Sequence, residues 1–230
     1  MKILIINPNS SEEMTAAIQQ CAEEYAQGDF EVLTVPTPGA PEYIDYYSDQ
    51  MLAAPEMVKI VKKYEDEYDA FIDACHCDPN LDLLKQVTTK PVIGIGEASM
   101  KLASMLGHSF SVVSAGNHSI PNKKALIHNY GLESSCASVR GPGGDFDDTS
   151  VEGPYLDAAK IAIEEDLAEV IVLGCAGFAG MAESMTKKLG VPVLDGIVCA
   201  LIVAQGVVKA GYTTSKIRRY KDTDIPYELK

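Results

Sequence analysis

The sequence predicts an α/β protein built from two pseudo-symmetric, parallel-sheet domains. Three observations carry that expectation. Short apolar runs of strand type alternate with helical patterns, four strands and then four more, which marks parallel strand–helix–strand units rather than hairpins. Two of the runs, FIDACHCD at 71–78 and VIVLGCAGF at 170–178, are built alike about a hundred residues apart, and each delivers a cysteine at its C-terminal end. Each is then followed by a helical pattern and a Pro-Val pair opening a further apolar run, with 16 residues from Cys75 to Pro91 and 17 from Cys175 to Pro192. The chain reads as a doubled unit with one thiol per copy.

The elements follow in order. Lys2 to Ile6 is a continuous apolar strand stopped by Asn7-Pro8-Asn9-Ser10, because proline cannot continue a central strand. Ser10 or Ser11 caps a helix from about Glu12 to Gln27, with acidic residues in its first turn. Phe30 to Val35 is the second strand, and the loop Pro36 to Pro41 is stiffened by three prolines. A helix from about Asp49 to Glu67 and a strand from Asp69 to Cys75 come next. Asp78-Pro79 carries the N-cap and first-turn signature of a short helix ending near Gln86. Pro91 to Ile95 is the fourth strand and Glu97 to Leu106 a helix. The pattern then starts over, with a strand at Ser109 to Ser114, a helix from about Pro121 to Tyr130 and a strand at Ala137 to Arg140. The loop GPGGDFDD precedes a helix from Val151 to Leu167, the Cys175 strand, a helix from about Ala182 to Leu189 and the strand Pro192 to Leu194. The last helix, about Ile197 to Ala210, leaves a polar tail.

Composition narrows the function classes. With 33 acidic against 19 basic side chains the net charge is −14, which repels phosphate backbones and anionic lipid, so neither nucleic acid nor membrane is an expected partner. No apolar run reaches the roughly 20 residues of a spanning helix and the N-terminus lacks a signal-peptide layout, so the expected location is cytoplasmic. Six unevenly spaced cysteines read as reduced thiols, with Cys21, Cys136 and Cys199 as packing residues.

The chemistry lies at the strand ends. A strand-to-helix junction offers free N–H groups and the positive end of a helix dipole, and a thiol placed there ionises more readily. In parallel sheets the ligand crevice lies beyond the C-terminal strand ends. Cys75 and Cys175 both sit at that edge, and if the two units face each other one substrate has a sulfur on each side. Asn7 and Asn9 reach the same edge, either as turn formers or as uncharged partners for a polar ring or a carboxylate. Pairing the first strand with the strand ending at Ser114 makes Ser114 the positional partner of the asparagine turn, either an end-of-strand cap or a hydroxyl for substrate. His76 and Cys77 complete a Cys-His-Cys triplet, but one CxC without a second ligand pair is weak evidence for zinc, so no metal site is expected.

The segments INPNSSEEMT, APEYIDYYSD, ACHCDPNL, PVIGIGEASM, FSVVSAGNHSIP and VLGCAGFAGM resemble, in this order, the motifs of the hydantoin and allantoin racemases of the aspartate/glutamate racemase superfamily, from Lys2 to about Ala204. The resemblance implies a first α/β domain at 1–97 completed by 196–230, a second at 98–195, and an active site in the cleft between them. It also implies Cys75 and Cys175 as the acid/base pair, no cofactor, and a homo-oligomer acting on a small molecule. His76 and Cys77 depart from the pattern, since family members often carry an aromatic residue and a glycine after the first catalytic cysteine.

The reaction follows from chemistry as well. Inverting a stereocentre beside a carbonyl needs a base on one face and an acid on the other, which a thiolate and a thiol supply. The enolate needs donors, available as the backbone N–H groups after the cysteines at His76, Ala176 and Gly177. The ring of a hydantoin or allantoin delocalises the charge, so neither metal nor pyridoxal phosphate is required. Only three arginines occur, Arg140, Arg218 and Arg219, none in a strand-end motif, which favours a neutral ring over a dicarboxylate. An amino-acid racemase, a decarboxylase or cis-trans isomerase of the same superfamily, and a non-catalytic binding protein are the alternatives. The retention of both cysteines argues against the last.

Overall fold

The computed structural model of the chain describes residues 1–144 and 146–223; Asp145 of the GPGGDFDD loop and the end of the polar tail lie outside the described residues. Among the described residues, eight strands form two four-stranded, wholly parallel sheets. In the first, β1 (Lys2–Asn7), β2 (Glu31–Pro36), β3 (Ala70–Asp73) and β4 (Val92–Gly94) lie in the order β2-β1-β3-β4. In the second, β5 (Phe110–Val113), β6 (Cys136–Arg140), β7 (Val170–Leu173) and β8 (Val193–Leu194) lie in the order β6-β5-β7-β8. The same permutation occurs twice, as the doubled cysteine unit predicts.

Each strand is followed by a helix, and the helices that lie between two strands make the connections that parallel pairing requires. They are α1 (Glu12–Ala26), α2 (Tyr47–Tyr64), α3 (Leu81–Val87), α4 (Ile95–Leu106), α5 (Ile120–Asn129), α6 (Glu152–Glu164), α7 (Ala182–Leu189) and α8 (Gly196–Lys209). By internal contacts the chain divides into Met1–Gly94 with the C-terminal segment from Ala200, and Ile95–Cys199. Several hydrogen bonds tie that C-terminal segment to the first unit. Thr214 donates its N–H to the Thr89 carbonyl at 2.9 Å and its hydroxyl to the Lys90 carbonyl at 2.8 Å, and the Tyr220 hydroxyl donates to Asp82 at 2.8 Å.

The cores follow from the period of two in strands buried on both faces. In the second sheet Val113, Ile171 and Leu173 pack with Tyr155, Ala159, Phe178 and Met185 on one side. Phe110, Val112, Val170 and Val172 pack with Met100, Ala103 and Ile127 on the other. In the first unit Leu4, Ile6 and Phe71 join Ala53, Met57, Val61 and Leu84. Fully burying each of these large aliphatic side chains is worth about 1.5–3 kcal/mol, which fixes the strand register.

Helix starts show where local chemistry decides. Ser11 caps α1 with its hydroxyl accepting the Met14 N–H at 3.2 Å, and Glu12 and Glu13 occupy the positive end of the dipole. The expected cap at Asp78-Pro79 is not what forms. The helix begins only at Leu81, because the chain leaves β3 through a tight turn in which Asp78 and Asn80 both take left-handed conformations, with φ of 45° and 61°. Asx residues tolerate that region better than most.

Close approach explains one glycine. A Cβ on Gly174 would lie 2.7 Å from the backbone carbonyl oxygen of Val113, and a strand carbonyl cannot swing aside as a side chain can. Gly174→Ala is therefore expected to lower the unfolding free energy by about 1–3 kcal/mol in urea denaturation. An unchanged midpoint would show that β5 and the residue after β7 do not approach this closely.

Candidate active site

The two strand-end cysteines are delivered by the same device. The Ala74 N–H donates to the Ile6 carbonyl at 2.9 Å, the last ladder bond from the end of β3 to the central strand β1, and the next residue is Cys75. In the second unit the Gly174 N–H donates to the Val113 carbonyl at 2.7 Å, the last ladder bond from β7 to β5, and the next residue is Cys175. The residue after Ile6 is Asn7 and the residue after Val113 is Ser114. Asn7 and Ser114 are thus positional counterparts, and both are fully buried.

Their side chains are engaged within their own turns. Asn7 Nδ2 donates to Asn9 Oδ1 at 2.7 Å and to Thr15 Oγ1 at 3.0 Å, while Asn9 Oδ1 also accepts the Ser11 N–H at 3.0 Å. The two asparagines therefore organise the turn that starts α1. The Ser114 hydroxyl donates to the Gly116 carbonyl at 3.2 Å and shares a hydrogen bond with Ser119 Oγ.

Around Cys75 the chain makes a turn closed by the Asp78 N–H donating to the Cys75 carbonyl at 2.9 Å. Within it Cys75 is half-buried, His76 is 1% exposed and Cys77 is 9% exposed. The Cys75 and Cys77 sulfurs lie 3.2 Å apart in a thiol hydrogen bond, and Gln50 Nε2 approaches Cys77 Sγ at 3.8 Å. Asn80 Nδ2 donates to the Gln50 carbonyl at 2.7 Å, so α2 and the cysteine turn hold each other. The Asp78 carboxylate lies over Gly94, where any side chain would displace it. Among the described residues no cluster of three or more His, Cys, Asp or Glu side chains is gathered as for a metal ion.

Around Cys175 the turn is a single 3₁₀ turn at Ala176–Phe178, for which Cys175 is the cap. Cys175 Sγ accepts the Gly177 N–H at 3.3 Å. An N–H facing the sulfur is a donor that a thiolate can accept. The half-buried thiol packs against the cluster that contains Tyr155 and Phe178, whose rings meet edge-on at 4.6 Å. Tyr155 donates its hydroxyl to the Ala115 carbonyl at 2.8 Å. Burial first, and then the neighbouring Cys175 sulfur, push the Tyr155 phenol up to about 12. It therefore stays neutral in the working range.

Two residues at these turns carry no signal in the sequence pattern. Thr149, from the loop after β6, lies over Gly177, so that a Cβ there would meet its hydroxyl. Its loop is legible as a loop only, and the contact is a long-range one. Asp73 is the second. It occupies the last position of β3, is fully buried, and neither carboxyl oxygen has a well-formed hydrogen bond. It hides inside an apolar strand run. Among the remaining thiols, burial pushes Cys136 up to about 11 and Cys199 up to about 12, as for inert packing residues. Arg140 is committed to an ion pair with Asp166 and Glu165.

Asp73 has a consequence for stability. Burial, then the charges of Asp78 and Cys75, raise its carboxyl well above the ordinary value, offset only in part by the backbone N–H of Cys75. In the unfolded chain the group ionises above about pH 4. The native state thus holds a proton that the unfolded state has lost, and stability present below pH 4 is lost as pH rises toward the folded value. Asp73→Asn removes this titration. The stability of D73N relative to the parent is expected to increase with pH from about 4 to 7, by at most about 1.4 kcal/mol per pH unit. Urea denaturation of both proteins across that range checks it, and parallel pH curves would show an ionised Asp73.

The comparisons with known proteins agree with one another. Residues 3–204 match the family model described as Asp/Glu/Hydantoin racemase. The chain is 40% identical over 227 residues to a hydantoin racemase of Pseudomonas sp. (strain NS671), covering 96% of this chain and 91% of that protein. Among solved structures it is similar to an allantoin racemase from Klebsiella pneumoniae, with a TM-score of 0.92 and 30% identity over 98% of this chain and 94% of the other. It is likewise similar to an allantoin racemase from Pseudomonas fluorescens, with a TM-score of 0.92 and 32% identity over 98% of both chains.

Proposed function

This chain belongs to the Asp/Glu/Hydantoin racemase family and is a racemase of the hydantoin or allantoin type, and we propose that it inverts a stereocentre beside a carbonyl with Cys75 and Cys175 as its two bases. The observation that carries the proposal is the equivalent placement of the two sulfurs, each one residue beyond the last ladder bond onto a central strand. A binding role does not require a thiol at both equivalent positions.

In this reading one cysteine, as thiolate, removes the proton from the stereocentre and becomes the thiol. The other, as thiol, delivers a proton to the opposite face and becomes the thiolate. The two exchange roles for the other enantiomer. Negative charge develops on the substrate carbonyl oxygen, and the backbone N–H groups of the two turns at His76, Ala176 and Gly177 are the proposed donors to it. The Gly177 N–H already faces the Cys175 sulfur, so it serves the thiolate in the resting state and the substrate only when that sulfur is protonated. No cofactor takes part in this scheme.

We propose allantoin or a 5-substituted hydantoin as substrate. Support comes from the names of the relatives and from charge. Arg140 is held by two acidic partners, and the other two arginines, Arg218 and Arg219, lie in the C-terminal segment. A dicarboxylate would call for a cationic clamp. Asn7, Asn9 and Ser114 shape the polar edge beside the cysteines, and His76 lies within the first turn. An amino-acid racemase is the second reading. A homo-oligomer in the cytoplasm, with no nucleic-acid or membrane partner, completes the proposal.

Chiral chromatography on allantoin, 5-substituted hydantoins, aspartate and glutamate tests the substrate. Turnover of the amino acids alone would favour the second reading. Cys75→Ser and Cys175→Ser are each expected to lower racemisation by about 10²–10⁴-fold with the fold intact by circular dichroism, because an alcohol is far too weak an acid. Retention of substantial turnover by either would end the two-thiol scheme. In deuterium oxide, a single enantiomer is expected to give product labelled at the stereocentre while unreacted substrate stays unlabelled early on. The proton taken by one sulfur cannot return from the other side. Product retaining the original hydrogen through many turnovers would indicate one base.

A further inference from the structure

The sequence around Cys75 contains a second thiol that the racemisation scheme does not use. Cys77 lies two residues on, in the turn closed by the Asp78 N–H and the Cys75 carbonyl, and its sulfur is 3.2 Å from that of Cys75. Consecutive Cα atoms lie about 3.8 Å apart, so residues two apart in a turn can have a Cα separation within the range that disulfides span. A disulfide bond is about 2.05 Å long, so the sulfurs need to close by only about 1 Å. Cys75 is the more exposed of the two, and Cys77 is buried behind it against Gln50.

We propose that Cys75 and Cys77 form an oxidisable dithiol, a modification site in which a peroxide converts the pair to an intramolecular disulfide and a small dithiol reductant restores it. In the first step the Cys75 thiolate attacks one peroxide oxygen, the O–O bond breaks, and hydroxide leaves and takes up a proton as water. Cys75 is then a sulfenic acid. In the second step the Cys77 sulfur displaces the hydroxyl from Cys75, losing its proton, and a second water forms. Two thiols and one hydrogen peroxide give one disulfide and two waters, the sulfurs losing the two electrons that the peroxide gains. The turn around Cys175 offers no equivalent, since residues 176–178 are Ala-Gly-Phe and the sulfur faces a backbone N–H instead. The two cysteines of the doubled unit thus differ in their response to oxidant: Cys75 has a resolving neighbour at hand, and Cys175 has none in its own turn. The effect on activity rests on the assignment of Cys75 as one of the two bases; the disulfide itself does not.

The test treats the full-length protein with one equivalent of hydrogen peroxide, blocks the remaining thiols with a maleimide near neutral pH, digests it with trypsin and weighs the peptide 64–85, which contains Cys75 and Cys77 and no other cysteine. The expected result is a peptide lighter by two hydrogens, formed in parallel with loss of racemisation, both reversed by dithiothreitol. In Cys77→Ser, compared with its own untreated activity, the same peptide is expected to gain oxygen atoms, and excess peroxide to cause a loss that dithiothreitol does not restore. A wild-type peptide that gains oxygen without losing two hydrogens, or that is found cross-linked to another cysteine, would overturn the proposal even if the variant failed to fold. A peptide lighter by two hydrogens with racemisation unchanged would uphold the disulfide and overturn Cys75 as a base.

Discussion

The backbone pairing at the ends of β3 and β7 is the constraint on which both candidate turns depend. Parallel strands buried on both faces have no freedom of register, because a slip by one residue would carry isoleucine and valine rows into the wrong layer. The bonds from Ala74 to Ile6 and from Gly174 to Val113 are the last rungs of those ladders, and each leaves its cysteine at the first residue released from the sheet. The hydrophobic cores therefore place the thiols through the backbone. Where side-chain size would disturb that placement, the chain has glycine, as at Gly174 and at Gly94 beneath Asp78.

Beyond the last rung the two halves diverge. The first leaves its sheet through a longer turn with two left-handed residues, a buried histidine and a second thiol. The second makes one 3₁₀ turn that aims a backbone N–H at its own cysteine and is covered by Thr149. The doubled architecture is a matter of strand order and register, and the chemistry is set by the few residues outside it.

Much of this was legible from residue patterns because it rests on periodicity. All eight strands, the order of the helices and the span of α7 follow from apolar runs, caps and prolines, and the pairing of Asn7 with Ser114 follows from the repeat. The start of α3 was not legible, since Asp78-Pro79 is a good cap locally and only the need to turn sharply out of β3 overrides it. Asp73 and Thr149 were missed for a different reason. One is a polar residue within an apolar run and the other belongs to a loop, and each acquires meaning only from neighbours distant in sequence. The commitment of Asn7 and Asn9 to their own turn is also a three-dimensional fact, although the Ser11 cap that they support was readable.

The donor that faces Cys175, set against the thiol that faces Cys75, bears on the energetics of a reaction whose two directions are mirror images. Free enantiomers have equal energy, so the ratio of kcat/KM values for the two directions is fixed at unity whatever the protein does. The free enzyme of a two-base scheme has two protonation isomers, one for each enantiomer, and nothing fixes their ratio. A sulfur that faces an amide donor and a sulfur that faces another thiol give those two isomers different surroundings. In the proposed two-base scheme, an inequality that persists in the substrate complexes appears as kcat and KM that differ between enantiomers by the same factor, a kinetic handedness in a reaction that has none at equilibrium.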